Sequence, residues 1–182
     1  HLLGLINDIL DLSKIEAGRL ELFISEFSVH KVIDILRTVA KPLADKNQIK
    51  VEFQVPEEIG SMESDETRLR QSLLNLLGNA CKFTEQGSVV IECQILGDNQ
   101  INICVRDTGQ GINLADINNL NQSFVQAEQG LNRSKEGVGL GLAIVERICG
   151  KWGGKLHFGN LAPQGTEVIM QLPSLKPCDS AV

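Results

Sequence analysis

Basic runs, long apolar stretches and paired cysteines are all missing from this chain of 182 residues. Lys and Arg are scattered, 17 against 23 Asp and Glu, and the net charge is −6. Nucleic acids and anionic membranes are held by clustered positive charge, so neither is expected as a partner. No apolar stretch approaches the roughly 20 residues of a membrane span and no signal peptide is present, so direct membrane contact is not expected either. Cys81, Cys93, Cys104, Cys149 and Cys178 are odd in number and contain no Cys-x-x-Cys pair. The three His lie at no metal-ligand spacing from them. These thiols are read as reduced, small apolar side chains of a cytoplasmic protein, not as zinc ligands or a disulfide frame.

What is present suits a globular protein: 42% of residues are apolar and 22% charged, enough for one domain and a short appendage. The chain opens at His1 inside an apolar helical pattern without a Met. It is therefore read as a piece of something longer, with any membrane anchor upstream.

From His1 to Gly18, Leu2, Leu5, Ile9 and Leu12 form one helical stripe and Leu3, Ile6 and Leu10 a second. Two stripes imply two partners, as in a helix bundle, and Gly18 is placed to stop the helix. Leu20 to Phe27 alternates like a strand; Ser28 opens a helix to about Lys46; Val51, Phe53 and Val55 alternate up to Pro56. Ser64-Asp65 starts a helix to about Phe83, and Val89–Leu96 with Ile101–Val105 make a hairpin across Gly97-Asp98-Asn99-Gln100. Residues 107–137 are rich in Gly, Asn and Gln, the composition of a functional loop or lid. Helical spacing returns at Leu140, followed by strands at Lys155–Gly159 and Thr166–Leu172. The expected architecture is α+β, a two-layer sandwich with helices on one face of a mixed, mostly antiparallel sheet. Residues 1–19 are assigned to the helix, 20–173 to the domain and 174–182 to a linker or tail.

Four features carry chemistry. On the helix from Asp65, Asn75, Asn79, Lys82 and Gln86 fall within roughly 60° of one another at about 100° per residue, apart from the sector of Leu69, Leu73, Leu76, Leu77 and Ala80. Amide oxygens suit Mg²⁺ and an ammonium suits phosphate, although a solvated polar face would read the same way. Asp107-Thr108-Gly109-Gln110-Gly111-Ile112 ends a strand, where a carboxylate can accept the exocyclic amino proton of adenine and the glycines admit a flat ligand. Gly137-Val138-Gly139-Leu140-Gly141-Leu142 opens a helix whose free N–H groups favour anions. It is neither a Walker loop, having no following Gly-Lys-Ser/Thr, nor a dinucleotide fingerprint, having no preceding strand. Thr166, after Gly165, offers a hydroxyl that can share a water with Asp107.

In order and spacing these segments resemble sensor histidine kinases. Asn75-Leu-Leu-Gly-Asn79-Ala-Cys-Lys82-Phe83-Thr84 is similar to their N box, Asp107 to Ile112 to their first glycine box, and Gly137 to Leu142 to their second. Leu10-Asp11-Leu12-Ser13-Lys14-Ile15-Glu16-Ala17-Gly18 resembles the end of the second dimerisation helix of hybrid kinases. The resemblance covers about His1 to Pro173 and implies the Bergerat (GHKL) ATP-binding fold, with ATP and Mg²⁺ as ligands. It implies that Asn79 holds Mg²⁺, Asn75 supports metal and triphosphate, Lys82 contacts phosphate and Phe83 flanks the nucleotide. Asp107 would read adenine with Thr166, beside Gly109, Gly111 and Ile112. Gly137, Gly139, Leu140 and Gly141 would place N–H groups on the phosphates, with Arg133 or Lys135 adding charge.

Two departures stand out. The lid's usual pair of Phe is reduced to Phe124, in Leu120-Asn-Gln-Ser-Phe124. No phosphoacceptor motif is present, since His1, His30 and His157 all lack an acceptor context. The implied activity is transfer of the γ-phosphoryl of ATP to a His on a helix absent from this chain. The implied partners are the protein's own acceptor-helix bundle, homodimeric in the full-length protein, and a response regulator or receiver domain. A same-fold ATPase needs a general-base Glu one turn before the magnesium Asn, and Asn75 stands there instead. A non-catalytic module that binds nucleotide or a partner is the remaining alternative.

Overall fold

The computed structural model describes residues 6, 9–11, 13–15, 17–97, 99–112 and 140–176. The expected Gly137, Gly139, Arg133, Lys135, Leu120 and Phe124 contacts lie outside these residues. Five strands form the main sheet: β2 (Lys50–Gln54), β4 (Ser88–Leu96), β5 (Gln100–Asp107), β6 (Lys155–Asn160) and β7 (Thr166–Leu172). Their spatial order is β2-β4-β5-β7-β6. Only β2 and β4 run parallel; the other neighbours are antiparallel. Period-two alternation explains the layering. Val89, Ile91 and Cys93, Ile101, Ile103 and Val105, and Val168, Met170 and Leu172 point to one buried face. On the opposite face, Arg106 bonds Glu167 at 2.6 Å and also pairs with Glu92.

Helices α1 (Val29–Asn47), α2 (Glu66–Phe83) and α3 (Leu140–Lys151) cover the apolar face. Each contributes residues at helical spacing, such as Val32, Ile33, Leu36 and Ala40 on α1 and Leu69, Leu73, Leu76, Leu77 and Ala80 on α2. The amide Nδ2 of Asn47 donates to the Cys81 carbonyl at 2.8 Å and ties the end of α1 to α2. Asp65 caps α2, its Oδ1 accepting from the Arg68 N–H at 3.0 Å. Ser28 holds the N-cap position of α1 but its hydroxyl makes no capping bond. Burial pushes the Cys81, Cys93 and Cys149 thiols up to about 11, 12 and 11, where they stay protonated and unreactive at neutral pH.

The first described residues, 6, 9–11 and 13–15, are helical. That helix stops where Gly18 takes φ +67°, its N–H bonded to Ile15 O at 3.0 Å and the Arg19 N–H to Lys14 O at 2.8 Å. This is a Schellman ending.

Two expectations are corrected. The strand expected from Leu20 begins only at β1 (Ser25–Ser28). Leu20 instead packs with Ile15 on Ile144 and Ile148 of α3, and the Phe23 N–H is taken by Asp65 Oδ2 at 3.0 Å. The alternation there serves packing against a helix. The tail expected from Ser174 contains β8 (Leu175–Lys176), which pairs with β3 (Ser61–Ser64) in a second sheet ordered β1-β3-β8. Leu175 is fully buried, which holds this segment in place, and Lys176 bonds Glu63 at 3.0 Å and Glu26 at 3.2 Å.

Candidate functional site

Asp107 is the last residue of β5, opposite Thr166 of β7 on one side and Val89 of β4 on the other. This position in the middle of the sheet buries its side chain, which is 7% exposed. Oδ1 accepts from the Gly109 N–H at 2.8 Å and the Thr166 N–H at 3.3 Å. Thr166, expected to share a water with Asp107, therefore stands directly beside the carboxylate. Burial pushes the Asp107 carboxyl above its usual range; hydrogen bonding from Gly109 and Thr166 opposes the rise without cancelling it.

The loop after Asp107 is built by close approach. A Cβ on Gly109 would stand 2.4 Å from the Phe83 carbonyl oxygen, so the end of α2 lies directly against this turn. Asn160, which sequence reasoning missed, holds the other side: its Oδ1 accepts from the Ile112 N–H at 2.8 Å and its Nδ2 donates to Ile112 O at 2.7 Å. The available signal was an Asn at a strand end, a residue whose amide mimics a backbone partner. Thr108 is a second omission; its hydroxyl accepts from the Ser88 N–H at 3.0 Å. Thr84 is a third, buried and bonded to Ala80 O at 2.8 Å where α2 ends.

On α2, Asn75, Asn79 and Lys82 are half-buried and Phe83 is exposed. The Lys82 ammonium lies 5.2 Å from the centre of the Phe83 ring. Asn75 abuts the start of α3, since a Cβ on Gly141 would stand 3.4 Å from the Asn75 amide carbon. The Asn75 Nδ2 is buried without a hydrogen-bond partner among the described residues. A buried amide donor costs about 1–3 kcal/mol when left unsatisfied. A polar ligand arriving between α2 and α3 would supply the partner, and an anionic one would also suit the first turn of α3.

The structure thus brings Phe83, Asp107, Gly109 and Thr166 together at one end of α2, with Gly111 and Ile112 held by Asn160. It places Asn75 against Gly141 of α3 about two turns further back along α2. Leu140 opens α3. A shallow groove between Arg37, Lys41 and Phe53 is lined by none of these residues. Among the described residues no group of three His, Cys, Asp or Glu is placed to hold a metal, and no helix is long and apolar enough to cross a membrane.

The sequence pattern of the histidine kinase-, DNA gyrase B-, and HSP90-like ATPases matches residues 64–176. The chain belongs to this family. It is 35% identical over 174 residues to an uncharacterized sensor-like histidine kinase of Rhizobium meliloti (strain 1021), covering 96% of this chain and 33% of that protein. It is 40% identical over 168 residues to hybrid signal transduction histidine kinase B of Dictyostelium discoideum, covering 87% of this chain and 8% of that one. Full-length ShkA in complex with AMPPNP superposes with a TM-score of 0.85 at 31% identity, over 98% of this chain and 37% of ShkA. The chain therefore spans a third or less of the length of these curated relatives. It is an ATP-binding catalytic domain of the histidine kinase type, and its helices-on-one-face sandwich is the family's fold.

Proposed function

We propose that the protein containing this chain transfers the γ-phosphoryl group of ATP to a histidine on its own helix bundle, a homodimer in the full-length protein, and passes it to a response regulator or receiver domain. The observation that carries this reading is Asn75, a half-buried amide beside the first turn of α3 whose Nδ2 has no partner among the described residues. In that place a carboxylate would act as general base for water; an amide has no such capacity, so the site favours transfer over hydrolysis. The hybrid kinase among the relatives and the AMPPNP bound to ShkA support the partner and the nucleotide.

Asp107 would accept the adenine amino proton, with Thr166 beside it, Gly109, Gly111 and Ile112 flanking the purine and Phe83 covering it. Asn75 and Lys82 would hold the triphosphate, together with the N–H groups around Gly137, Gly139, Leu140 and Gly141. Asn79, half-buried and without a side-chain hydrogen bond to any described residue, would hold Mg²⁺, an ion that takes few protein ligands beside substrate phosphates. When bound, that ion supplies neutralisation of phosphate charge. The chain's residues then act by holding and orienting the nucleotide, with little covalent work.

Labelled ATP mixed with this chain and a separately made acceptor-helix protein tests the reading. Label on histidine is expected; free phosphate alone would show a hydrolase, and nucleotide binding with neither would show a binding module. Asn79→Ala should abolish the metal dependence of ATP binding at an unchanged melting temperature. Normal Mg·ATP binding by that variant removes Asn79 from the site.

Acidity provides a further check. The ionised Asp107 is the proton acceptor, so ATP affinity should fall as pH drops through its raised pKa, above the range where an ordinary carboxylate titrates. Stability runs the other way. A folded-state pKa above the unfolded one stabilises the fold at low pH, and this contribution is lost as pH rises from the usual value through the raised one. Isothermal titration between pH 4 and 7 reads the first effect and thermal melting the second.

A further inference from the structure

Asp11 is a carboxylate on the N-terminal helix, only 8% exposed, that none of the nucleotide contacts uses. Both its oxygens are engaged by α2: Arg68 binds it two-pronged, Nη2 to Oδ1 at 3.0 Å and Nη1 to Oδ2, and the Gln71 amide adds a bond to Oδ2 at 3.3 Å. Gln71 Oε1 in turn accepts from Arg68 Nη1 at 2.9 Å, which fixes the guanidinium plane. Burial works against the Asp11 charge, yet the Arg68 and Gln71 bonds and the nearby Arg68 and Lys14 charges outweigh it and hold the carboxyl below its usual range. The pair is therefore charged and oriented.

The same helix has a second, apolar anchor at its end, where Ile15 and, just past Gly18, Leu20 sit on Ile144 and Ile148 of α3. The Lys151 ammonium adds a bond to Leu20 O at 3.0 Å. One greasy contact lets a helix rock about it; a planar two-pronged pair one helical turn away does not. Asn75 and Asn79 lie on α2 about 10 Å and 16 Å beyond Arg68 along the axis. The angle set at Asp11 is thus set relative to the helix that carries the proposed phosphate and metal contacts.

We propose that Asp11 and Arg68 are positioning residues for phosphoryl transfer, their ion pair fixing the angle at which the N-terminal helix, and any acceptor carried by the bundle it continues, meets the nucleotide. This rests on the phosphotransfer reading above. The pair touches neither nucleotide nor acceptor; it acts through orientation alone.

The test uses the full-length protein. Asp11→Asn and Arg68→Gln should each lower histidine labelling at saturating ATP by about 10- to 100-fold, the cost of a misplaced reactant. The KM for ATP should stay within about twofold. The double variant should be no worse than either single, because both remove one interaction, and Asp11→Glu should recover part of the rate. Unchanged labelling, additive losses, or a KM that rises in step with the loss of rate would each overturn the proposal.

A second readout stands apart from chemistry and is made on this chain. With Cys178→Ser, and the four described thiols buried, spin labels at Ile6→Cys and Thr38→Cys report the helix's angle to the domain. A narrow distance distribution that broadens in Asp11→Asn is expected. An unchanged distribution overturns the proposal even where histidine is labelled, whereas broadening without any labelling leaves the anchor in place and rejects the phosphotransfer reading.

Discussion

Replacing Asp107 by Asn is expected to weaken ATP binding by about 1.5–3 kcal/mol, about 10- to 150-fold in Kd, the scale of a lost charged hydrogen bond. The loss follows from how the side chain is already used. Oδ1 is committed to the Gly109 and Thr166 N–H groups. The amide of Asn would keep its oxygen there, since only an oxygen can accept from those donors. Its NH2 would then face the adenine amino group, donor against donor. The fold should not suffer, because an ionised carboxylate at this burial is itself costly. Calorimetry and melting together decide the matter: unchanged affinity with an intact fold would remove Asp107 from purine recognition.

Gly165→Ala should be more damaging still, by about 2–5 kcal/mol of stability, with nucleotide binding lost alongside. Gly165 has φ +130°, a conformation that strains any L side chain by about 1–3 kcal/mol. Its new Cβ would also stand 2.1 Å from the Asp107 carbonyl oxygen and 3.2 Å from Thr108 Cα. Both obstacles are backbone, locked in register by the Asp107–Thr166 pairing. Relief requires β7 to move away from β5, which pulls the Thr166 N–H off the carboxylate. A melting curve within about 1 kcal/mol of the parent would show that the turn relaxes in some other way.

Much of this was legible beforehand because it depends on local pattern. The β4–β5 hairpin, β7 and α2 follow from period two and period 3.6, and Asp65 is a capping residue by type and position. The illegible parts depend on distant partners. Leu20 and Leu22 alternate as a strand does, yet α3, more than 100 residues on, claims Leu20. Met62 is the one apolar residue in β3, too little pattern to announce a strand, and β8 has only two residues. Within the candidate site, the spacing of Asn75, Asn79 and Lys82 on one helical face was readable. Asn160 was not, because its partner Ile112 lies 48 residues earlier in sequence and the contact exists only once β6 is in the sheet.

The Asp107–Thr166 register has a consequence for synthesis. These neighbours are 59 residues apart, so the chain must close a long loop before they meet. A ribosome-bound intermediate that ends before Thr166 already has the sequence of the hairpin, yet leaves the far side of β5 unsatisfied and the Asp107 carboxylate without one of its walls. On the proposed reading of Asp107, purine recognition is therefore acquired late, only once β7 has paired with β5.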